Sequence, residues 1–211
     1  MSPPDQARYL TLANRITIVR ILGTPVFILL MVYYAIGLRA GEVQPGYRQA
    51  ALLLFLVVVV TDGMDGYFAR RRHEVTKLGR VLDPLADKLL MISAIVLFTR
   101  PSLPELQPQF PIWFTLLVIS RDVVLVGGSF LIHLHNGSVH VHPRWSGKIA
   151  TVLQMFCVGW ALAALNPGAF VWPVAAAGVF TLISGIQYVM DGVHQIESSG
   201  PQHGPSPPAH E

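Results

Sequence analysis

The sequence predicts an all-α integral membrane protein with six transmembrane helices, preceded by an amphipathic juxtamembrane helix. Of its 211 residues, 52% are hydrophobic and 13% are charged, whereas a typical soluble domain carries about 25% charged residues. The apolar residues fall in six blocks, each near the roughly 20 residues that cross a bilayer core. Because the blocks are continuously apolar rather than alternating, helices are expected instead of barrel strands. The predicted spans cover residues 21–38, 49–67, 81–99, 111–134, 145–165 and 170–193.

A single membrane domain is predicted over residues 11–195. Residues 1–10 are polar and are expected to form a mobile N-terminus, and the Pro-rich residues 196–211 are expected to be disordered because they lack apolar periodicity. Residues 11–20 (TLANRITIVR) mix apolar and basic side chains at helical spacing. This pattern predicts the juxtamembrane helix at the cytoplasmic interface.

The distribution of the 15 basic residues predicts the orientation in the membrane. With six spans, both termini and the 2–3 and 4–5 connections lie on one side. All basic residues fall on that side except Arg39, Arg48, Arg100 and the intramembrane Arg121. The basic side is therefore predicted to be cytoplasmic, with both termini there. The pI near 9.2 then reflects topology and contact with anionic membrane lipids, and no nucleic-acid partner is expected because no soluble basic domain exists.

The end of the second predicted span carries two carboxylates beside two residues with almost no side chain. The residues that share this helical face, at positions i, i+3, i+4 and i+7, are Asp62, Asp65, Gly66 and Ala69. Carboxylates inside a membrane span are costly and mark functional sites by default. The small residues beside them leave room for a bulky group.

The start of the third predicted span repeats this pattern, with Gly79, Asp83 and Asp87 spaced by four on one face. Because the 2–3 connection is short, we expect these spans to be antiparallel neighbours whose acidic faces meet at one depth. Four carboxylates would repel one another unless cations neutralise them, and all-oxygen ligation selects Mg²⁺, Mn²⁺ or Ca²⁺ over zinc. The alternative is a salt-bridge network with the basic residues at 70–72 and 77, which two matched acidic faces beside glycines disfavour.

These positions carry a resemblance to a known family. The pattern reads Asp62-x2-Asp65-Gly66-x2-Ala69-Arg70-x8-Gly79-x3-Asp83-x3-Asp87. It resembles the signature of the CDP-alcohol phosphatidyltransferase family, with every defining position present. The six-span layout with a juxtamembrane helix is similar as well, so the likeness extends over most of the chain.

The resemblance implies a site for two divalent cations, Mg²⁺ or Mn²⁺, that hold the pyrophosphate of CDP-diacylglycerol. Asp62, Asp65 and Asp83 would be the principal metal ligands. Asp87 would complete the site and act as general base on the acceptor hydroxyl. CMP is the expected product, and no covalent nucleophile is needed.

The same resemblance implies a nucleotide site on the cytoplasmic side of a bacterial inner or cell membrane. Gly66, Ala69 and Gly79 would leave room for the cytidine nucleotide. Arg70 and Arg80 would lie near its phosphates. The expected partners are therefore CDP-diacylglycerol, an alcohol acceptor and membrane lipids.

The second half of the chain must supply recognition of the acceptor. Arg121, with Asp122 beside it, lies inside the fourth predicted span and forms either a buried structural pair or part of a phosphate pocket. Arg144 and Lys148 stand one helical turn apart at the cytoplasmic start of the fifth span, where they either hold a phosphate or anchor the helix at anionic headgroups.

Within the family, the stretches ANRITIVRILGTP, LDPLADK and SGKIAT-x2-Q resemble the branch that acts on glycerol-type acceptors. That branch contains phosphatidylglycerophosphate synthases, which use glycerol 3-phosphate, and a cardiolipin synthase type, which uses phosphatidylglycerol. Asp122 and Ala150 stand where the first kind usually has Glu and a second Lys, which favours the cardiolipin type. The greater frequency of the glycerol 3-phosphate enzyme in bacteria favours the first, which we take as the prediction; inositol phosphate is a less favoured acceptor.

Two other functional classes are alternatives to a transferase. A transporter would also place carboxylates in a bundle, but ion coupling does not require paired aspartates beside glycines. A non-catalytic scaffold would not need all four aspartates. A homodimer is one assembly that the sequence allows, because polytopic enzymes often dimerise. No dimer motif stands out, however.

One further motif is HLHNGSVHVH, with His133, His135, His140 and His142 around an Asn-Gly turn. Clustered imidazoles on a tight hairpin can bind Zn²⁺ or Ni²⁺. A polar cytoplasmic loop is the preferred interpretation.

Overall fold

The computed structural model is all-helical in the part of the chain that it describes. It describes the backbone of residues 12–68, 79–103, 106–136 and 145–198, and the side chains of residues 22–61, 88–103, 106–127 and 145–192. These contain six α-helices and a 3₁₀ turn at Pro167–Ala169 but no strand. The helices are α1 Leu12–Ala40, α2 Pro45–Phe68, α3 Gly79–Thr99, α4 Ile112–Asn136, α5 Trp145–Leu162 and α6 Val171–Ser198.

Among the described residues, two helical stretches are long and apolar enough to cross a membrane, Leu22–Ala40 in α1 and Pro167–Gly192, which includes most of α6. The stretches Pro45–Thr61 in α2 and Lys88–Thr99 in α3 are apolar but shorter. The predicted juxtamembrane helix is not separate, because residues 12–20 form the first turns of a continuous α1 of 29 residues. At about 1.5 Å per residue α1 is about 43 Å long, which exceeds a bilayer core of about 30 Å.

A glycine turn ends α1 and directs the chain into α2. Gly41 has φ of 75°, its N–H donates to the carbonyl of Leu38 at 3.3 Å, and the N–H of Glu42 donates to the carbonyl of Gly37 at 2.9 Å. These are the two hydrogen bonds of a Schellman motif, which requires a left-handed residue. A Cβ at Gly37 would lie 2.7 Å from the carbonyl oxygen of Glu42, so the turn also excludes a side chain there.

The helices do not pack in the way that the short 2–3 connection led us to expect. In the described residues the backbones of α2 and α3 are not close neighbours; each helix packs mainly against α1 and also contacts α5. A connection of residues 69–78 can reach about 33–36 Å when extended, so it does not force its two helices together.

The largest buried side chains concentrate where α3 and α5 end and α4 and α6 begin. Phe110 contacts Phe114 and Phe170 there, with ring centroids 5.3 and 5.1 Å apart. The most buried large side chains are Phe27, Met31, Ile95, Phe98, Leu106, Phe114, Val118, Gln154, Val158, Leu162 and Val174. We call this region the capped end of the bundle, and the region where α2 ends and α3 begins the carboxylate end.

The capped end is named for Arg48, because its side chain donates hydrogen bonds to the last carbonyl oxygens of α5. The residue is 8% exposed. Its acceptors are the carbonyl oxygens of Leu162 at 3.0 Å, Gln107 at 2.5 Å and Ala161, and the hydroxyl of Tyr34 at 3.3 Å. A cation at a helix C-terminus also interacts favourably with the helix dipole. Arg48 thus joins α1, α2, α5 and the 3–4 connection.

Candidate active site

Backbone geometry places each pair of aspartates on one face of a continuous helix. Asp62 and Asp65 lie in the last two turns of α2, and Asp83 and Asp87 lie in the first three turns of α3. At about 1.5 Å rise per residue, the members of each pair are separated along the axis by about 4.5 and 6 Å. Their side chains lie outside the described part, so the ligand assignments stay predictions. The all-oxygen donor set fits a hard divalent cation.

The proposed nucleotide contacts are also outside the described side chains. Gly66 lies in the helical end of α2, and Gly79 and Arg80 begin α3. Ala69 and Arg70 fall outside the described residues, as does Arg144. In the histidine motif, α4 extends through His133 and His135 to Asn136, so the first pair is helical instead of lying in a loop.

Deeper in the bundle, one carboxylate is shared by two cations from different helices. Asp122 Oδ1 of α4 lies 2.5 Å from Lys88 Nζ of α3 and 2.9 Å from Arg121 Nη1. The side chains of Asp122 and Arg121 are only 10% and 11% exposed. We call this group the Lys88–Asp122–Arg121 cluster. With two cations and one carboxylate, it keeps a net positive charge in a largely buried position, where charge is costly.

The guanidinium of Arg121 lies in a space bounded by two glycines. Its Nη2 donates to Ser184 Oγ of α6 at 3.1 Å. A Cβ at Gly147 of α5 would lie 3.1 Å from that Nη2 and 3.2 Å from Ser184 Oγ, and a Cβ at Gly185 would lie 3.7 Å from Arg121 Cγ. Arg121 Nε is buried and has no hydrogen-bond partner among the described residues. The space therefore admits the arginine but leaves one donor free.

Polar contacts between the helices hold α4, α5 and α6 around this arginine. Ser146 Oγ and Gln187 Oε1 are 2.6 Å apart, and Gln154 Nε2 donates to Thr181 Oγ1 at 2.8 Å. A further hydrogen bond joins α6 to α4, from Tyr188 OH to the carbonyl oxygen of Leu125 at 3.1 Å. Hydrogen bonds between apolar helices replace water that a lipid environment does not supply.

Lys148 is the one described member of the predicted phosphate pair, and it lies away from Arg121. Its side chain is exposed, and its Nζ lies 5.8 Å from the centre of the Trp145 ring. Val152 and Phe156, which follow it on the same helical face, are 64% and 51% exposed. The neighbouring Gly147 instead faces Arg121. The structure thus brings Arg121 into a buried polar group and leaves Lys148 on an exposed face.

Several residues of this group were not predicted from the sequence. Lys88, Gly147, Ser184 and Gly185 surround Asp122 and Arg121 but were not singled out. A pattern does exist: two Ser-Gly pairs, at 146–147 and 184–185, interrupt apolar spans, and Lys88 lies inside a third. Each pattern alone is compatible with helix packing, so only the spatial arrangement identifies the group.

Comparisons with known proteins agree with the motif. The family model described as CDP-alcohol phosphatidyltransferase matches residues 10–186. A CDP-diacylglycerol–glycerol-3-phosphate 3-phosphatidyltransferase of Bacillus subtilis is 34% identical over 197 residues, covering 89% of this chain and 98% of the relative. A probable phosphatidylglycerophosphate synthase of Mycobacterium tuberculosis is 30% identical over 195 residues, covering 90% and 86%. A cardiolipin synthase (CMP-forming) of Streptomyces coelicolor is 31% identical over 173 residues, covering 82% and 73%.

Proposed function

The chain belongs to the CDP-alcohol phosphatidyltransferase family, and on that premise we propose that it transfers a phosphatidyl group from CDP-diacylglycerol to glycerol 3-phosphate, forming phosphatidylglycerophosphate and CMP. The observation that supports this acceptor is the buried Lys88–Asp122–Arg121 cluster. Its net positive charge and the free Nε of Arg121 suit an anionic group. A phosphomonoester carries nearly two negative charges and would supply the missing charge. The relatives named for this reaction match nearly the whole chain.

The reaction would take place at the carboxylate end. We propose that Asp62, Asp65, Asp83 and Asp87 bind two divalent cations, Mg²⁺ or Mn²⁺. When bound, the cations neutralise charge on the pyrophosphate and on departing CMP. Asp87 would accept the proton of the acceptor hydroxyl as that oxygen attacks the β-phosphorus of the nucleotide.

The remaining predicted residues complete the substrate sites. Gly66, Ala69 and Gly79 would give space to the cytidine nucleotide, and Arg70 and Arg80 would face its phosphates. The separation of α2 from α3 in the described residues is compatible with a substrate held between their acidic faces.

Arg121 would be the principal ligand of the acceptor phosphate. We assign the exposed Lys148, with Arg144, to the first encounter with the acceptor at the cytoplasmic entrance. Replacing Arg144 and Lys148 with Gln would then harm the use of glycerol 3-phosphate more than that of phosphatidylglycerol, because the monoester carries more negative charge. Equal losses in donor use and in acceptor use would mean that Arg144 and Lys148 only anchor the helix at the membrane.

We also propose that the six helices cross a bacterial cell membrane six times, with both termini and the carboxylate end cytoplasmic. The two long apolar stretches and the asymmetry of the basic residues support this topology. The first turns of α1 would lie at the cytoplasmic interface before the helix enters the bilayer.

Phosphatidylglycerol is the second candidate acceptor, which would make the protein a cardiolipin synthase. The relative from Streptomyces coelicolor carries that name. Asp122 and Ala150 also depart from the residues usual in glycerol 3-phosphate enzymes, and Ala150 is fully buried. Position 150 is therefore buried and uncharged in this chain, and it offers no second cation to an acceptor.

The deciding experiment measures CMP release by the full chain in detergent with CDP-diacylglycerol and Mg²⁺. Glycerol 3-phosphate, phosphatidylglycerol, inositol phosphate and serine are offered separately, and the lipid products are identified by mass spectrometry. We expect CMP and phosphatidylglycerophosphate with glycerol 3-phosphate, and no CMP after chelation by EDTA. CMP release with phosphatidylglycerol alone would establish the second candidate. Full activity after exhaustive chelation would contradict the two-cation proposal.

A further inference from the structure

Two polar ties connect α3 to α4 in the described residues. Near the capped end, Thr99 Oγ1 and Thr115 Oγ1 are 2.6 Å apart. Deeper in the bundle, Lys88 Nζ lies 2.5 Å from Asp122 Oδ1. The second tie lies close in sequence to the predicted metal ligands, because Lys88 follows Asp87 directly. The first tie is more than two helical turns further along α3.

The position of Lys88 on α3 determines where the acidic face points. Successive residues of an α-helix are turned by about 100°, so Lys88 is about 100° from Asp87 and about 140° from Asp83. Pairing Lys88 with α4 therefore places positions 83 and 87 on a different face of α3 from the one that meets α4 at Lys88. The pair also fixes how far α3 is displaced along its axis relative to Asp122. A change in the rotation or in the axial displacement of α3 would move both aspartates together.

We propose that the Lys88–Asp122 ion pair is a positioning device that sets the rotation and axial height of the carboxylate-bearing start of α3. Lys88 and Asp122 would contact neither the cations nor the substrates. Their role would be to hold Asp83 and Asp87 at the spacing that the metal site requires. This inference rests on the proposed function, since it assumes that the aspartates bind divalent cations.

The structure supports a positioning role over simple charge compensation. Asp122 already has a cationic partner in Arg121, at 2.9 Å on the neighbouring position of its own helix. Lys88 is therefore not required to keep the buried carboxylate paired. Its ammonium adds a second cation to an already neutral pair. Beyond its charge, Lys88 forms the only ion pair in the described residues that joins α3 to α4.

This arrangement makes Lys88→Met a clean variant, because it leaves the Arg121–Asp122 pair intact and exposes no unmatched carboxylate. Metal binding is measured without turnover, by titrating Mn²⁺ into the full-length protein in detergent and recording free Mn²⁺ by electron paramagnetic resonance. We expect the dissociation constant for Mn²⁺ to rise about tenfold in Lys88→Met, the size of effect typical for groups that orient metal ligands. The half-saturating Mg²⁺ concentration for CMP release should rise by a similar factor.

Two further variants separate positioning from general stability. Lys88→Arg keeps the ion pair and should restore Mn²⁺ affinity to within about threefold of the parent. Thr99→Val removes the other α3–α4 tie and should leave Mn²⁺ affinity unchanged. Parental Mn²⁺ affinity in Lys88→Met, or an equal loss in Thr99→Val, would overturn the inference.

Other outcomes are equally decisive. A raised KM for glycerol 3-phosphate with unchanged Mn²⁺ affinity would make Lys88 a ligand of the acceptor and overturn the positioning role. A parent protein that binds Mn²⁺ but releases no CMP with any acceptor would contradict the proposed function. In that case the ratio of Mn²⁺ affinities between the parent and Lys88→Met would still decide the inference.

Discussion

In the described part of the chain, two arginine side chains are largely buried, and the difference between their surroundings separates the two ends of the bundle. At the capped end, Arg48 donates to carbonyl oxygens of α5 and the 3–4 connection and to the hydroxyl of Tyr34. Its guanidinium also lies over the rings of Tyr34 and Phe98, at 5.4 and 5.7 Å. Arg121 contacts a carboxylate that it shares with Lys88 and one serine hydroxyl, and its Nε has no hydrogen-bond partner among the described residues.

The comparison shows that burial of a guanidinium has two different meanings. Where backbone carbonyls satisfy most of the donors, the arginine fastens helices together and leaves nothing for a ligand. Where a donor stays free and the local charge is positive, burial prepares a site for an anion, because an unsatisfied buried donor is costly until a partner arrives. We therefore expect the capped end to stabilise the bundle and the opposite side to carry recognition and chemistry.

The largest expected effect is on the chemistry of the carboxylate end. Asp83→Asn should lower CMP release about a thousandfold, equivalent to about 4 kcal/mol, because it removes a charged oxygen from a cation site that stabilises the leaving group. The side chain keeps its size, so the melting temperature should change little. Turnover and thermal unfolding in detergent test both expectations. Near-parental turnover at limiting Mg²⁺ would remove Asp83 from the set of ligands.

At the capped end we expect the opposite pattern, a loss of stability without a change in substrate use. Arg48→Met should lower the free energy of unfolding by about 3 kcal/mol, since several buried carbonyl oxygens lose a donor at about 1–3 kcal/mol each. KM values of the folded fraction should stay parental. Arg100→Met is the matched control, because Arg100 is an exposed arginine near the same end, and it should change stability by less than about 0.5 kcal/mol. An acceptor KM raised by Arg48→Met would contradict the division between the two ends.

The sequence allowed the helical architecture and the acidic motif to be predicted, because both depend on local patterns. Continuous apolar blocks locate the helices, and two aspartates at i and i+3 or i and i+4 share a face wherever the helix lies. The separation of α2 from α3 could not be predicted, since a connection limits the distance between helix ends without specifying packing. The pairing of Lys88 with Asp122 was missed for the same reason, because it depends on which helices are neighbours.

A smaller effect is expected when the arginine of the recognition side is replaced. Arg121→Met should raise the KM for glycerol 3-phosphate about tenfold or more, since a hydrogen bond to a charged group contributes about 1.5–3 kcal/mol. The fold should persist because Asp122 keeps Lys88 as its partner. The KM for CDP-diacylglycerol serves as the internal comparison and should change less than twofold. A loss of stability with an unchanged acceptor KM would make Arg121 a second structural arginine, equivalent to Arg48.

The smallest expected effect concerns the space around Arg121. A Cβ at Gly147 would lie 3.1 Å from Arg121 Nη2 and 3.2 Å from Ser184 Oγ, which is closer than carbon normally approaches either atom. Gly147→Ala should therefore shift the guanidinium by a few tenths of an ångström and raise the KM for glycerol 3-phosphate about threefold, equivalent to less than about 1 kcal/mol. The kcat at saturating acceptor should stay close to that of the parent.

Gly159→Ala is the matched control for this substitution. Gly159 lies in the same helix, and a Cβ there would meet nothing within 4 Å, so alanine should stabilise α5 by about 0.5–1 kcal/mol without changing the acceptor KM. Both variants gain the same helical propensity, and they differ only in what the new methyl group contacts. A raised acceptor KM in Gly147→Ala alone would therefore be caused by the displaced arginine. Equal KM values in the two variants would mean that the acceptor does not depend on the position of Arg121.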